Sequence, residues 1–245
     1  MLFFIMLCGT CSAQENLLPG RSGEVIAYPF RNFNFINPQF DRVNKADGSY
    51  FNTYLTRVVV TTESKNHFRV DLPFASTNAT ADHSTVFGFS DMDLRYTRIL
   101  GRGRNTFWGA SAQIYLPTAS NEALGSGICQ LRTGLGGIYL FPRSRGSIFL
   151  SGEYRFSIHK EGKANVSVFA WSPNCDYWFK KGYVGYYATW TYDFRAGRLD
   201  IPLDVEAGYP VFKNIVASFE YILPLTSVGA SYNNELTGKL RFYLK

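Results

Sequence analysis

No stretch of this 245-residue chain stays apolar for the roughly 18 residues that a membrane-spanning helix needs, so helical spanning is excluded. Histidine is scarce: His67, His83 and His159 stand alone, without the spacing of a metal site, and no metal or other cofactor is expected. Cysteine is scarce too. Of the 4 present, Cys129 and Cys175 lie beyond the N-terminal segment, where an oxidising compartment allows pairing and the sequence leaves it open. Lysine and arginine exceed the acids by a formal +6, yet they are scattered singly through aromatic stretches and form no basic block. Nucleic acid is therefore not an expected partner.

Aromatic residues, by contrast, are abundant: 17% of the chain, with 16 Tyr and 21 Phe. Residues 1–14 read as a signal peptide, an apolar run followed by Gly9, Thr10, Ser12 and Ala13, although no Lys or Arg precedes the run. Cleavage near Gln14 or Glu15 leaves a single domain over 15–245. Thr10 and Gly9 before Cys11 match a lipidation signal poorly.

The main pattern has period two, which on a strand sends successive side chains to opposite faces. In 147–158, Ile148, Leu150, Tyr154, Phe156 and Ile158 share one parity, and Ser151, Glu153, Arg155 and Ser157 the other. Residues 199–209 repeat this, with Leu199, Ile201, Leu203, Val205, Ala207 and Tyr209 against Asp200, Asp204 and Glu206. So do 236–244, with Leu236, Leu240, Phe242 and Leu244 against Lys239, Arg241 and Tyr243. Weaker alternation marks strands near 66–74, 88–100, 105–117, 128–141, 165–179, 183–194 and 214–225; 52–61 is strand-like with neither face clearly apolar. These segments are nearly twice the usual soluble strand and carry aromatics near their ends. An all-β, up-and-down antiparallel transmembrane barrel follows, set in a bacterial outer membrane among its lipid and lipopolysaccharide. The amphipathic end of the chain, Leu240 to Leu244, suits the barrel-insertion machinery.

Short links (62–65, 101–104, 142–146, 180–182, 210–213) alternate with links that are mostly longer (75–87, 118–127, 159–164, 226–234), the 195–198 link being a short exception. Barrels of this kind have short turns at one end and long loops at the other. Eleven strands run from residue 52 onward, and an even number is needed. The sequence predicts a twelfth within 24–36, with 37–51 as a loop; the alternative is ten strands with the N-terminal segment inside.

Two segments go beyond general barrel character: Gly88-Phe89-Ser90-Asp91-Met92-Asp93-Leu94-Arg95, and Leu116-Pro117-Thr118-Ala119-Ser120 followed by Leu124-Gly125-Ser126-Gly127 and then Leu131 to Gly137. In order and spacing they resemble the outer-membrane transporter-like family named for the meta pathway of phenol degradation, with its Gly-x-Gly-Asp strand and Leu-Pro-Thr-Gly loop. Ser90 and Ala119 stand where that family more often has Gly. The resemblance covers 52–245 and implies a barrel with a transport role and no catalytic residues. Physically, Pro117 ends a ladder, Thr118 and Ser120 can bond local backbone, and Gly125 and Gly127 admit backbone angles closed to other residues. This motif reads as a shaped loop at the rim or as a contact to solute.

A charge facing lipid near the midplane costs about 2–4 kcal/mol for Arg or Lys. The polar parity must therefore face inward. It carries Arg69, Asp71, Asp91, Asp93, Arg95, Arg132, Glu153, Arg155, Asp200, Asp204, Glu206, Glu220, Lys239 and Arg241. Interleaved signs suit cross-strand pairing, and a subset suits the lining of a solute path. The doublets Asp91/Asp93 and Asp204/Glu206 share a strand face, without histidine beside them, and read as salt-bridged interior charge. Gly134-Leu135-Gly136-Gly137 sits within an alternating strand, not between strand and helix, so it is no nucleotide loop. The expected function is a non-enzymatic channel or transporter for small molecules, hydrophobic or aromatic ones among them. The alternatives are a closed structural or adhesive barrel and a lipid-modifying enzyme built on Ser and His.

Overall fold

The computed structural model describes residues 34–45, 47–62, 65–78, 84–141, 145–158, 165–179, 182–212, 214–226 and 233–244; the segment read as a signal peptide lies outside them. Twelve antiparallel strands close into a barrel. They are β1 (Asn34–Asn44), β2 (Tyr50–Thr62), β3 (Asn66–Thr77), β4 (Val86–Phe89 and Met92–Arg102), β5 (Thr106–Leu116) and β6 (Gln130–Leu140). The ring continues with β7 (Gly146–Ser157), β8 (Ser167–Phe179), β9 (Gly182–Tyr187 and Trp190–Asp193), β10 (Arg198–Asp200 and Pro202–Phe212), β11 (Ile215–Pro224) and β12 (Asn234–Leu244). Each strand pairs with its neighbours in sequence, and β12 returns to β1 with Lys239 opposite Gln39. Among the described residues the ring of strands closes on itself, as a bilayer, which does not tolerate an open sheet, requires.

The twelfth strand is not where the sequence placed it. β1 occupies 34–44, most of it inside the predicted 37–51 loop, and only 45–49 joins it to β2. Its apolar residues fall on both faces, Phe35 and Val43 inward against Ile36 and Phe40 outward, so no alternation shows. In the 45–49 turn, Gly48 takes φ 82°. There the Ser49 hydroxyl and amide both donate to Asp47, at 2.6 and 2.9 Å, and hold its carboxyl below the ordinary range.

Short turns gather at one end of the barrel, and the connections 78–85, 117–129, 158–166 and 225–233 gather at the other, here the loop end. Side chains sort by register. Phe68, Leu72, Trp108, Leu135, Ile148, Leu203, Val205, Phe219 and Leu240 point outward and are exposed, as an apolar wall facing lipid requires. Aromatic pairs mark both rims. Phe40–Tyr54 (5.1 Å between ring centres) and Phe74–Phe89 (4.0 Å) lie toward the loop end; Phe68–Tyr96 (5.2 Å) and Tyr177–Phe179 (5.2 Å) lie toward the turns. Cys175 is exposed on the outer face and Cys129 is half-buried beyond the loop end of β6; both are free thiols.

The interior near the turns holds an apolar layer. Ile99, Phe107, Ile138, Leu140, Trp178, Tyr183 and Val216 form one buried cluster, with Phe149, Tyr187 and Tyr243 packed against it. They come from β4 to β9, β11 and β12, so this apolar layer engages most of the circumference.

Candidate functional site

Above the apolar layer the inward positions carry charge, and the strands sort it by sign. On the β2 to β7 half stand Arg57, Arg69, Arg95, Arg132 and Arg155 with Asp71, Asp93 and Glu153. On the half from β8 round to β1 stand Asp41, Asp176, Asp204, Glu206, Glu220 and Glu235 with Lys239 and Arg241. One wall is thus rich in arginine and the other in carboxylates. Within each wall the register sets like charges directly opposite one another: Arg69 with Arg95, Asp71 with Asp93, Arg132 with Arg155, and Glu206 with Glu220. Directly opposed like charges destabilise a sheet. Relief comes from opposite charges directly across, two residues along the same strand, or on the diagonal.

Arg57 grips Asp71 with two hydrogen bonds of 2.8 Å, from Nε and a terminal nitrogen. Arg69 spans the next step, 3.4 Å from Asp71 and 3.1 Å from Asp93, and Gln113 also donates to Asp93. Glu153 accepts from Arg155 at 2.7 Å and lies 3.7 Å from Arg95, which donates to Ser111 at 3.1 Å. Arg132 is different. It lies 5.1 Å from the centre of the Tyr115 ring, reaches Gln130 at 3.4 Å, and has no carboxylate partner among the described residues. Across the barrel, Lys239 sits between Glu206 (2.8 Å) and Glu220 (2.6 Å), holding the opposed pair together. Tyr183 donates to Glu206, and Tyr187 and Ser147 donate to Asp176. Arg241 lies 5.7 Å from the Phe35 ring and donates to the Tyr243 hydroxyl at 3.4 Å.

Two of the residues expected inside stand apart from this lattice. Asp200 pairs with Arg198 at 3.0 Å at the loop-end rim. Asp91 falls in the break of β4 between Phe89 and Met92, yet it lines the lumen cavity at the loop end together with Asp93. The break is opposite Pro73, whose carbonyl accepts from Ser90. The carbonyl and the amide nitrogen of a strand residue face the same neighbour, so the donor that proline lacks is missing on the β4 side.

What fills the break is the 117–129 connection. The buried Asp91 (2% exposed) accepts from the amides of Ala119 (3.2 Å) and Ser126 (2.6 Å) and from the Ser126 hydroxyl (2.9 Å). Thr118 accepts from the Met92 amide at 2.9 Å and donates to the Ser90 carbonyl, Ser120 bonds the Phe89 carbonyl, and Ser90 donates to the Leu124 carbonyl. Leu124 is fully buried beneath a single 3-10 turn, Glu122–Leu124. The two segments singled out in the sequence therefore lock together as strap and anchor. Gly127 does use the left-handed backbone (φ 59°), but Gly125 is extended (φ −151°). Gly125 is required by space instead, because a Cβ there would run into Ala119 and the Asp91 carboxylate.

Two cavities flank the ion-pair lattice. The outer one, about 410 Å³, opens beneath the strap and includes Phe51, Leu55, Asp71, Asp91, Asp93 and Tyr115 in its lining. The inner one, about 180 Å³, is lined by Arg69, Arg95, Ser111, Gly134, Phe149, Ser151 and Glu153 among others. Arg57, Asp41, Asp176, Glu235 and Gln113 belong to this interior and were not picked out from the sequence. His67 is buried on β3 and hydrogen-bonds Thr61 at 2.9 Å; His83 and His159 lie outside the described residues.

A closed, lipid-faced barrel with a charged interior defines the class: a transmembrane β-barrel of the outer-membrane type. No family model and no curated protein matches the sequence. Solved structures do. The NanC porin superposes with a TM-score of 0.60 at 8% identity, covering 86% of this chain and 99% of that one. The KdgM porin does so at 0.58 and 12% identity with the same coverage, and a KdgM structure in complex with disordered oligogalacturonate at 0.58 and 10%. At such identities the likeness establishes the porin-type barrel fold alone.

Proposed function

We propose that this protein is a passive outer-membrane channel for small solutes. The carrying observation is the charged layer between two cavities in the barrel interior, an arrangement that offers a solute successive polar footholds at the depth of the hydrocarbon core. The porin-type fold agrees with this reading, as does the resemblance to the transporter-like family, whose two signature segments here form one strap at the mouth. The sequence suggested hydrophobic or aromatic cargo. The arginine wall shifts that expectation toward solutes that combine an apolar body with negative charge, since a wholly apolar molecule would have to displace hydration from the ion pairs without replacing it.

A second reading, a closed barrel, draws on one specific feature, the apolar cluster around Trp178 and Tyr183 near the turns. Single-channel recording in a planar bilayer decides between them. Discrete conductance steps whose ion selectivity shifts in Glu153→Gln and Arg155→Gln are expected. A folded, heat-resistant barrel that inserts but stays electrically silent would sink the channel reading.

A further inference from the structure

We propose that the inner cavity, on the β5 to β7 side, is a binding site for a small organic carboxylate with a flat, apolar body. This rests on the channel reading, since it names the solute of the same lumen. The cavity holds about 180 Å³, which restricts it to a small ligand.

Its floor is bare sheet. On three adjacent strands the inward positions are Gly109 and Ser111, Gly134 and Gly136, and Ser151, which the register brings side by side. Peptide groups in such a floor already spend their donors and acceptors on the ladder, so they offer a flat van der Waals surface and few hydrogen bonds to a ligand. At Gly109 and Gly134 the close approach that glycine permits is that of the neighbouring strands, at the Arg98 and Gly152 carbonyls. The Phe149 ring adds an apolar wall.

Charge is confined to one side. Arg69 and Arg95 stand opposite each other in register, with side chains 15% and 31% exposed. The Nε of Arg95 has no hydrogen-bond partner, and that of Arg69 reaches only the Asp71 carboxylate, at 3.4 Å. The only carboxylate lining this cavity is Glu153, and its 3.7 Å separation from Arg95 is the longest ion pair described in the lumen. Arg69 also pairs with Asp71 and Asp93 beyond the lining, yet over this half of the barrel five guanidiniums stand against three carboxylates and leave a positive excess. A ligand carboxylate fits that excess, and its apolar body lies along the glycine and serine floor. The small floor residues also contrast with the bulky Trp178, Tyr183 and Tyr187 on β8 and β9, which places the open volume off the barrel axis.

The test is isothermal titration of the full chain, folded in detergent, with sodium benzoate as the probe. Saturable binding is expected, with affinity at least about tenfold weaker for acetate, which lacks the body, and for benzyl alcohol, which lacks the charge. Arg95→Gln and Ser151→Leu are each expected to weaken benzoate binding by about tenfold or more, while Thr191→Val, remote from the cavity, leaves it unchanged. Folding of each variant is checked by heat-resistant migration, and Ser151→Leu decides alone if Arg95→Gln does not fold. The proposal is overturned by the absence of saturation, by wild-type affinity in Ser151→Leu, or by benzyl alcohol binding as tightly as benzoate. Because the titration needs no current, benzoate binding by a silent barrel would refute only the channel, and conductance without benzoate binding would refute only this site.

Discussion

Replacing Asp91 by alanine should release the strap without unfolding the barrel. The carboxylate accepts two backbone amides, from Ala119 and Ser126, and the Ser126 hydroxyl, all from a buried position. Its removal strands at least the two amides. Each unsatisfied buried group costs about 1–3 kcal/mol, so even the lower bound gives about 2 kcal/mol, or roughly a 30-fold rise in the open population of the connection. The twelve-strand ladder does not depend on these bonds, so the opening is local. The assay follows from the sequence: Glu122 is exposed within the strap, so a glutamate-specific protease cuts there once the backbone can leave its turn. When opening and closing outpace cleavage, the cutting rate tracks that population. Asp91→Ala is expected to cut about 30-fold faster at Glu122, as read by fragment mass, with Asp91→Asn in between because one oxygen still accepts. A rate within twofold of wild type would refute the anchoring role of this carboxylate.

Lys239→Met removes the cation between the directly opposed Glu206 and Glu220 and should destabilise the barrel by about 3–5 kcal/mol, measured by urea unfolding in detergent; adding Glu220→Gln should recover part of that loss. Arg132→Gln should behave in the opposite sense, since Arg132 faces Arg155 and has no carboxylate partner among the described residues. Stability is expected to hold or rise by up to about 1 kcal/mol in the same assay, and anion preference in reversal-potential measurements should fall. For Asp47, folding lowers the carboxyl pKa. The support it gives the 45–49 turn is therefore complete above the ordinary aspartate value of 3.8 and is lost as pH falls through the lower folded value; the Ser49 amide resonance should titrate below 3.8, and a midpoint at or above it would contradict the hydrogen-bonded turn.

The outward face was legible because lipid penalises every charge placed there: the alternation around Ile148, Leu203 and Leu240 is a direct imprint of the bilayer. Legibility failed where the interior is itself apolar. Phe35 and Val59 point inward into buried surroundings, which erases the contrast between faces in β1 and β2 and hid both the position of β1 and the inward Arg57. The anchoring role of Asp91 was hidden for a different reason. Period two carries a parity only along an unbroken strand, and the break opposite Pro73 resets it. The separation of signs by wall could not have been read from any one strand, because it exists only once register sets Arg132 beside Arg155 and Glu206 beside Glu220.

That separation bears on how the interior would look to an electrode. Acids and bases nearly cancel when counted down the bore, so a measurement along the axis reports a weakly selective tube. The charge is instead arranged sideways, like the plates of a capacitor spanning the barrel. A molecule that carries opposite charges at its two ends gains nothing from a balanced axis, but between those plates it experiences a torque, and it would travel through the middle of the barrel in one preferred orientation.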